Sequence, residues 1–266
     1  METIPVRGVM MEMPSYRTTC PESVGFHKFS VSEKQTGMTG LLCRFVLTMV
    51  FLVMTASSVS AATQVSGDIT KDTTWTLAGS PYVVTSSIRV QGTDGDDGVT
   101  TLMVNPGVEV KFNSNSGLSV GGSSGAPGGL VAVGTSDDQV VFCSNDGTNW
   151  QGIFFNNTTA DETSVLNHCI VKNAGMLSGS SCNYSVCMEN SSPSIRNSVI
   201  SGSKNFGIRI NSGSPDISDN VISDNGNCGI FLRDSCSPSI TGNKVIGNKG
   251  VGIFSNNTSC IPTVTG

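Results

Sequence analysis

Residues 193–254 read PSIRNSVISGSKNFGIRINSGS (193–214), PDISDNVISDNGNCGIFLRDSCS (215–237) and PSITGNKVIGNKGVGIF (238–254). Placed under one another on Pro193, Pro215 and Pro238, the three segments align without gaps through their middles. The prolines step by 22 and then 23 residues, and Ile200 to Gly207, Ile222 to Gly229 and Val245 to Gly252 are each seven apart. Self-similarity at a fixed short period is the signature of a solenoid. The period is too short for paired helices and the units are too poor in leucine for a leucine-rich repeat. Each unit divides instead into short β-type runs separated by Gly, Asn or Ser. One unit is therefore read as one coil of a parallel β-helix.

Alternation within a coil points Ile208 and Ile210 inward with Arg209 outward, and Ile230 and Leu232 inward with Phe231 outward. Coils stacked about 4.8 Å apart place Ile195, Ile217 and Ile240 in one interior column, and Ile200, Ile222 and Val245 in another. Asn220 and Asn243 share a turn position with Ser198, where stacked amides can hydrogen-bond along the axis. His168 is expected on the same column. The recurrent Gly207, Gly229 and Gly252 are expected to ease the start of a strand after a tight corner.

The pattern continues upstream with interruptions. Val165, His168 and Ile170 match the first half of a coil, and Ser185 to Met188 the second, with about eight extra residues bracketing Gly175 to Cys182. Inserted loops on solenoids are frequent binding elements. Trp150 to Phe155 reads as a further strand, and residues 62–149 as an N-terminal β region with the first, less regular coils. Residues 150–266 are the regular coils. After Phe254 the next coil reaches only Ile261 and Val264 without an amphipathic cap, so a truncated frame or a partner-supplied cap is expected there.

Composition sets the surroundings. The hydrophobic fraction is 37% and charged residues are 13%, a balance that suits many short strands better than a thick core or a disordered chain. Phe45 to Ala56 is apolar, follows Arg44 and precedes small residues at Val59 and Ala61. It is too short to span a bilayer comfortably and reads as a secretory signal over residues 38–61, cleaved after Ala61. Residues 1–37 show no periodic pattern, and translation is expected to begin at Met38. Removing 1–61 takes away five basic and four acidic residues, leaving 10 basic against 16 acidic. Such a surface repels nucleic acid, and no membrane span remains in the mature chain. Seven of the nine cysteines remain, an odd number in a compartment that permits disulfides. Cys182 and Cys187 are the expected local bridge.

The run Thr74-Trp75-Thr76, Ser80 to Val84, Asn105 to Phe112, Gly134-Thr135-Ser136 and Trp150 to Ile153 resembles the N-terminal segment of secreted bacterial right-handed parallel β-helix repeat proteins. The resemblance spans roughly residues 64–257. It implies an all-β, right-handed parallel β-helix of the pectate-lyase-like superfold behind a signal peptide. That superfold hosts polysaccharide lyases, glycosidases, epimerases and non-catalytic surface proteins, so it does not select an activity.

The chemistry visible in the residues is sparse. Arg209 and Arg233 fall outward on one strand layer with Asp216 on a neighbouring coil, the best catalytic grouping available, but no carboxylate ladder forms and solvated surface charge is the better reading of them. Asp94, Asp96 and Asp97 are the densest acidic cluster and the candidate for Ca²⁺, although a polar Gly/Asp turn accounts for them without a metal. No zinc site and no other cofactor is expected. An outward column of Phe154, Cys187, Arg209, Phe231 and Phe254 can stack on sugar rings, with Arg209 and Arg233 contacting acidic groups. Self-stacking of Phe231 and Phe254 is the competing explanation. The expectation is thus an exported, secreted or cell-surface, non-catalytic β-helix that binds a polysaccharide or surface glycan through Phe154, Arg209, Phe231, Arg233 and Phe254, or that forms part of a surface assembly. The alternative is a lyase, glycosidase or epimerase acting on acidic glycans.

Overall fold

Short runs of β-branched residues, each ended by Gly, Asn or Ser, can pair only with equivalent runs a full period away. The computed structural model describes residues 61–122, 125–175 and 183–266, and every strand in it belongs to one of three parallel sheets. The signal segment 38–61, except Ala61, and the extension 1–37 lie outside the described residues. In the repeats the strands run Ser194–Arg196, Val199–Ser201 and Phe206–Gly213, then Asp216–Ser218, Val221–Ser223 and Ile230–Cys236. The sheets are named first, second and third after that order and contain eight, eight and seven strands.

The register matches the repeat. Ile195, Ile217 and Ile240 are direct partners in the first sheet. Ile200, Ile222 and Val245 are partners in the second, and Ile208, Ile230 and Ile253 in the third. All but Val245 and Ile253, in the last coil, are buried. Burying each such side chain stabilises by roughly 1.5–3 kcal/mol, and every column gets that burial only from adjacent coils. Strands on both sides of residue 150 share the sheets: Glu109–Phe112 pairs with Val140–Ser144, which pairs with Cys169–Lys172. In the less regular coils Phe112 and Trp150 fill the interior as a stacked pair with ring centroids 4.1 Å apart.

The corners are closed by two internal asparagine ladders. In one, Asn220 Oδ1 accepts the Ser198 N–H at 2.9 Å and Asn220 Nδ2 donates to the Ile195 carbonyl at 2.8 Å. Asn243 repeats the arrangement one coil on, accepting from both the backbone and side-chain nitrogens of Asn220. The second ladder runs through Ser203, Asn225 and Asn248. Backbone groups that a tight turn would leave buried and unpaired are satisfied in this way. His168 does not stand in the first ladder. Its register partner is Asn197, whereas Cys169 aligns with Ser198 and donates its N–H to the Ser198 hydroxyl oxygen at 3.0 Å. His168, Asn197 and Asp219 instead occupy a left-handed turn position, with φ of 50°, 48° and 56°, which short polar side chains tolerate.

The recurrent glycines have a different cause from the one expected. Gly207 and Gly229 are not left-handed. A Cβ on Gly229 would lie 2.6 Å from Val245 Cγ1 and 2.9 Å from Asn248 Nδ2, and one on Gly207 would lie 2.7 Å from Asn225 Nδ2. At Gly207 and Gly229 a side chain is excluded because the second ladder packs against this corner, whereas a Cβ on Gly252 would make only an ordinary contact with Val245 Cγ1 at 3.5 Å. In the last coil Phe254, Ile261 and Val264 are exposed. Cys236 and Cys260, 24 residues apart, form a disulfide between successive turns. Cys182 lies outside the described residues, and with it the expected Cys182–Cys187 pair.

Candidate functional site

The outward face of the third sheet carries one continuous column. Arg89, Ser119 and Phe154 lead through Cys187 and Arg209 to Phe231 and Phe254, each the direct partner of the next. Over the middle coils this face sinks into an open groove of about 270 Å³. Gly117 and Gly152 keep its floor low, and Phe154, Tyr184, Cys187, Glu189, Arg209 and Asn211 form its walls. The volume is just below the roughly 300–1,000 Å³ range of small-molecule pockets.

One wall is aromatic. Phe154 and Tyr184 are stacked with centroids 6.4 Å apart and planes 29° from parallel. The opposite wall is polar and connected: Arg209 Nε donates to Asn211 Oδ1 at 3.0 Å, and Asn211 Nδ2 donates to Glu189 Oε2 at 2.6 Å. Glu189 and Asn211 are register partners, and Arg233 follows them in the same column. An aromatic surface facing a directed set of donors and acceptors suits a ligand with an apolar face and hydroxyl edges.

The groove unites only part of the expected set. Phe154 and Arg209 line it. Phe231 lies further along the solenoid between Phe206 and Phe254, at centroid distances of 4.5 and 5.8 Å, so its neighbours cover much of its ring. Arg233 is exposed, and its Nε is 3.7 Å from its own neighbour Asp234. The catalytic grouping does not assemble. Asp216 belongs to the first sheet, on a different side of the coil from Arg209 and Arg233, and its carboxylate is engaged by Arg196 at 2.8 Å. The other aspartates of these coils, Asp219, Asp224 and Asp234, occupy left-handed turn positions with φ of 56° to 57°.

Sequence reasoning missed Tyr184, Glu189 and Asn211. Glu189 and Asn211 were accessible, because they stand two residues beyond Cys187 and Arg209 in the aligned repeats. Tyr184 was hidden. It shares alternation parity with inward-facing Val186, and no spacing in the repeats sets it against Phe154.

The Ca²⁺ candidates are turned to the backbone. Asp94 Oδ2 accepts the Asp72 N–H at 3.1 Å, Asp97 Oδ1 accepts the Val99 N–H at 2.9 Å, and Asp96 is exposed. Among the described residues no three His, Cys, Asp or Glu side chains stand where they could share a metal ion.

Residues 65–261 match the profile of a family described as "Periplasmic copper-binding protein (NosD)". The match covers almost the whole described solenoid. The chain belongs to the NosD family. No curated protein and no solved structure matches it. The periplasmic description of NosD agrees with an exported chain and with the short signal-like segment in front of the matched region.

The family's copper corrects the expectation that no cofactor other than Ca²⁺ is to be considered. Among the described residues no set of His, Cys, Asp and Glu side chains is gathered into a copper centre. His168 stands in a turn, and Cys236 and Cys260 are consumed in a disulfide. Cys169 is buried in the core, where desolvation pushes its thiol up to about 12, so the thiolate that would ligate a soft metal is disfavoured. No chemical step is assigned to copper here.

Proposed function

We propose that this NosD-family protein is a non-catalytic periplasmic β-helix that binds a glycan in the groove of its third sheet. The supporting observation is the pairing of the Phe154/Tyr184 stack with the Arg209–Asn211–Glu189 hydrogen-bond chain across one open cleft. A sugar ring has an apolar face for the aromatic wall and equatorial hydroxyls for the polar one. A long polysaccharide can enter such a cleft laterally, which an enclosed cavity would prevent.

Titration calorimetry against a panel of neutral and acidic oligosaccharides tests the reading. Saturable binding is expected, weakened by about tenfold in Phe154→Ala, the equivalent of losing one aromatic stacking contact. Equal affinity of wild type and Phe154→Ala would reject this groove as the binding site. Incubation with acidic polysaccharide and Ca²⁺ is expected to yield no unsaturated product, since Asp216, the carboxylate expected to assist Arg209, is held by Arg196 on another sheet.

A further inference from the structure

Arg209 shares the lack of an ion pair with Arg89 and most described lysines, but it alone among these cations lines the groove. Lys111, Arg196 and Arg233 each have a carboxylate within 4 Å, whereas Arg209 takes part in no ion pair among the described residues. Its only protein hydrogen bond there runs from Nε to Asn211. That bond uses Nε and takes up the side-on edge, so the end-on fork made by the two terminal amino groups keeps its donors.

The orientation of Arg209 is set by a chain with no ambiguity of direction. Glu189 Oε2 can only accept, so it draws the amide nitrogen of Asn211 toward itself at 2.6 Å. The amide oxygen then faces Arg209 Nε, which can only donate, at 3.0 Å. Each end of the asparagine has one satisfactory orientation, and the guanidinium plane is fixed as a result. A fixed guanidinium with its terminal donors unused is the geometry that recognises a planar carboxylate through two parallel hydrogen bonds. The Glu189 charge does not reach Arg209 by direct contact, because the neutral amide stands between them.

We infer that the groove carries a subsite for a single anionic group on a sugar, docked on the terminal amino groups of Arg209, with Asn211 and Glu189 as positioning residues. This rests on the glycan reading above and specifies its substrate class. The ring stacks against Phe154 and Tyr184 while its acidic substituent points across the cleft. A uronic acid carboxylate and a sulfate ester both supply oxygens for such donors, and only the carboxylate matches the guanidinium fork in plane.

The test is titration calorimetry on the exported protein with three probes: neutral galactan, oligogalacturonate and sulfated galactan oligosaccharides of equal length. An affinity at least tenfold higher for an acidic probe than for the neutral one is expected, decreasing as salt is raised. A preference for oligogalacturonate over the sulfated probe identifies the carboxylate as the source of the anion, and the reverse identifies sulfate. Arg209→Gln is expected to abolish the preference and its salt dependence, bringing the affinity for the acidic probe down to that for neutral galactan. Asn211→Ala is expected to reduce the ratio of acidic to neutral affinity several-fold, whereas a merely structural defect would weaken both probes alike and leave the ratio in place. Equal binding of all three probes overturns the acidic subsite while the glycan reading stands. Binding of none of them overturns both. An Asn211→Ala protein with full selectivity rejects the positioning role.

Discussion

Asp161 shows how a single side chain on this solenoid sets a pH dependence. Its Oδ1 is buried without a hydrogen-bond partner, and burial raises the carboxyl above its ordinary value of 3.8, partly offset by a backbone hydrogen bond from Ser192. A group raised in this way is more favourably accommodated protonated than ionised in the fold. Its contribution to stability is complete below the ordinary carboxylate range and is lost as pH rises through the folded value. Asp161→Asn is therefore expected to raise the melting temperature at pH 7 and to leave it unchanged at pH 3. Thermal unfolding of both proteins at the two pH values checks this, and a larger gain at pH 3 would contradict it. At the same scale the repeat alignment gave the inward isoleucines correctly but misplaced His168 by one position. An αL turn and a ladder position lie next to each other in the chain, and both favour short polar residues.

The stacked corner is the element that holds successive coils in register. Asn220 gives and receives four hydrogen bonds along the first ladder: its Oδ1 accepts from Ser198, its Nδ2 donates to Ile195 and Asn243, and its N–H donates to Asn243. Asn220→Ala removes the side-chain amide and leaves the buried Ser198 N–H and the Ile195 carbonyl without these partners, at about 1–3 kcal/mol for each group left unsatisfied. A loss of roughly 2–5 kcal/mol in urea-induced unfolding is expected. Asn243→Ala, in the more exposed last coil, is expected to cost less, and equal costs would show that burial does not control the ladder's strength. The ladder was legible for Asn220 and Asn243 because they align. The glycine row was legible as a pattern but not as a cause, since the clash with Asn225 and Asn248 involves residues about 18 or 19 positions away.

For the whole molecule, nearest-neighbour stacking means that stability is not shared evenly. Interior coils are sandwiched, whereas the last coil has exposed Ile246, Val251, Phe254, Ile261 and Val264 and is tied back by Cys236–Cys260. Closing a 24-residue loop by a disulfide is worth about 3 kcal/mol in the chain-entropy account. Cys260→Ser is expected to speed amide hydrogen exchange through residues 253–266 and to leave the coils before residue 230 protected, as read by mass spectrometry. Uniform loss of protection along the solenoid would mean that the coils unfold as one cooperative block.

The 22- to 23-residue period by itself determined the coil, the interior columns and the outward column from Phe154 to Phe254, because in a solenoid sequence distance converts directly into height along the axis. The tertiary structure alone decided which side of the coil each polar residue faces. It set the Asp216 carboxylate against Arg196, stacked Tyr184 on Phe154, and directed the Asn211 amide between Arg209 and Glu189. Those placements depend on where the chain bends between sheets, and a bend is set by packing between coils that the linear repeat does not encode.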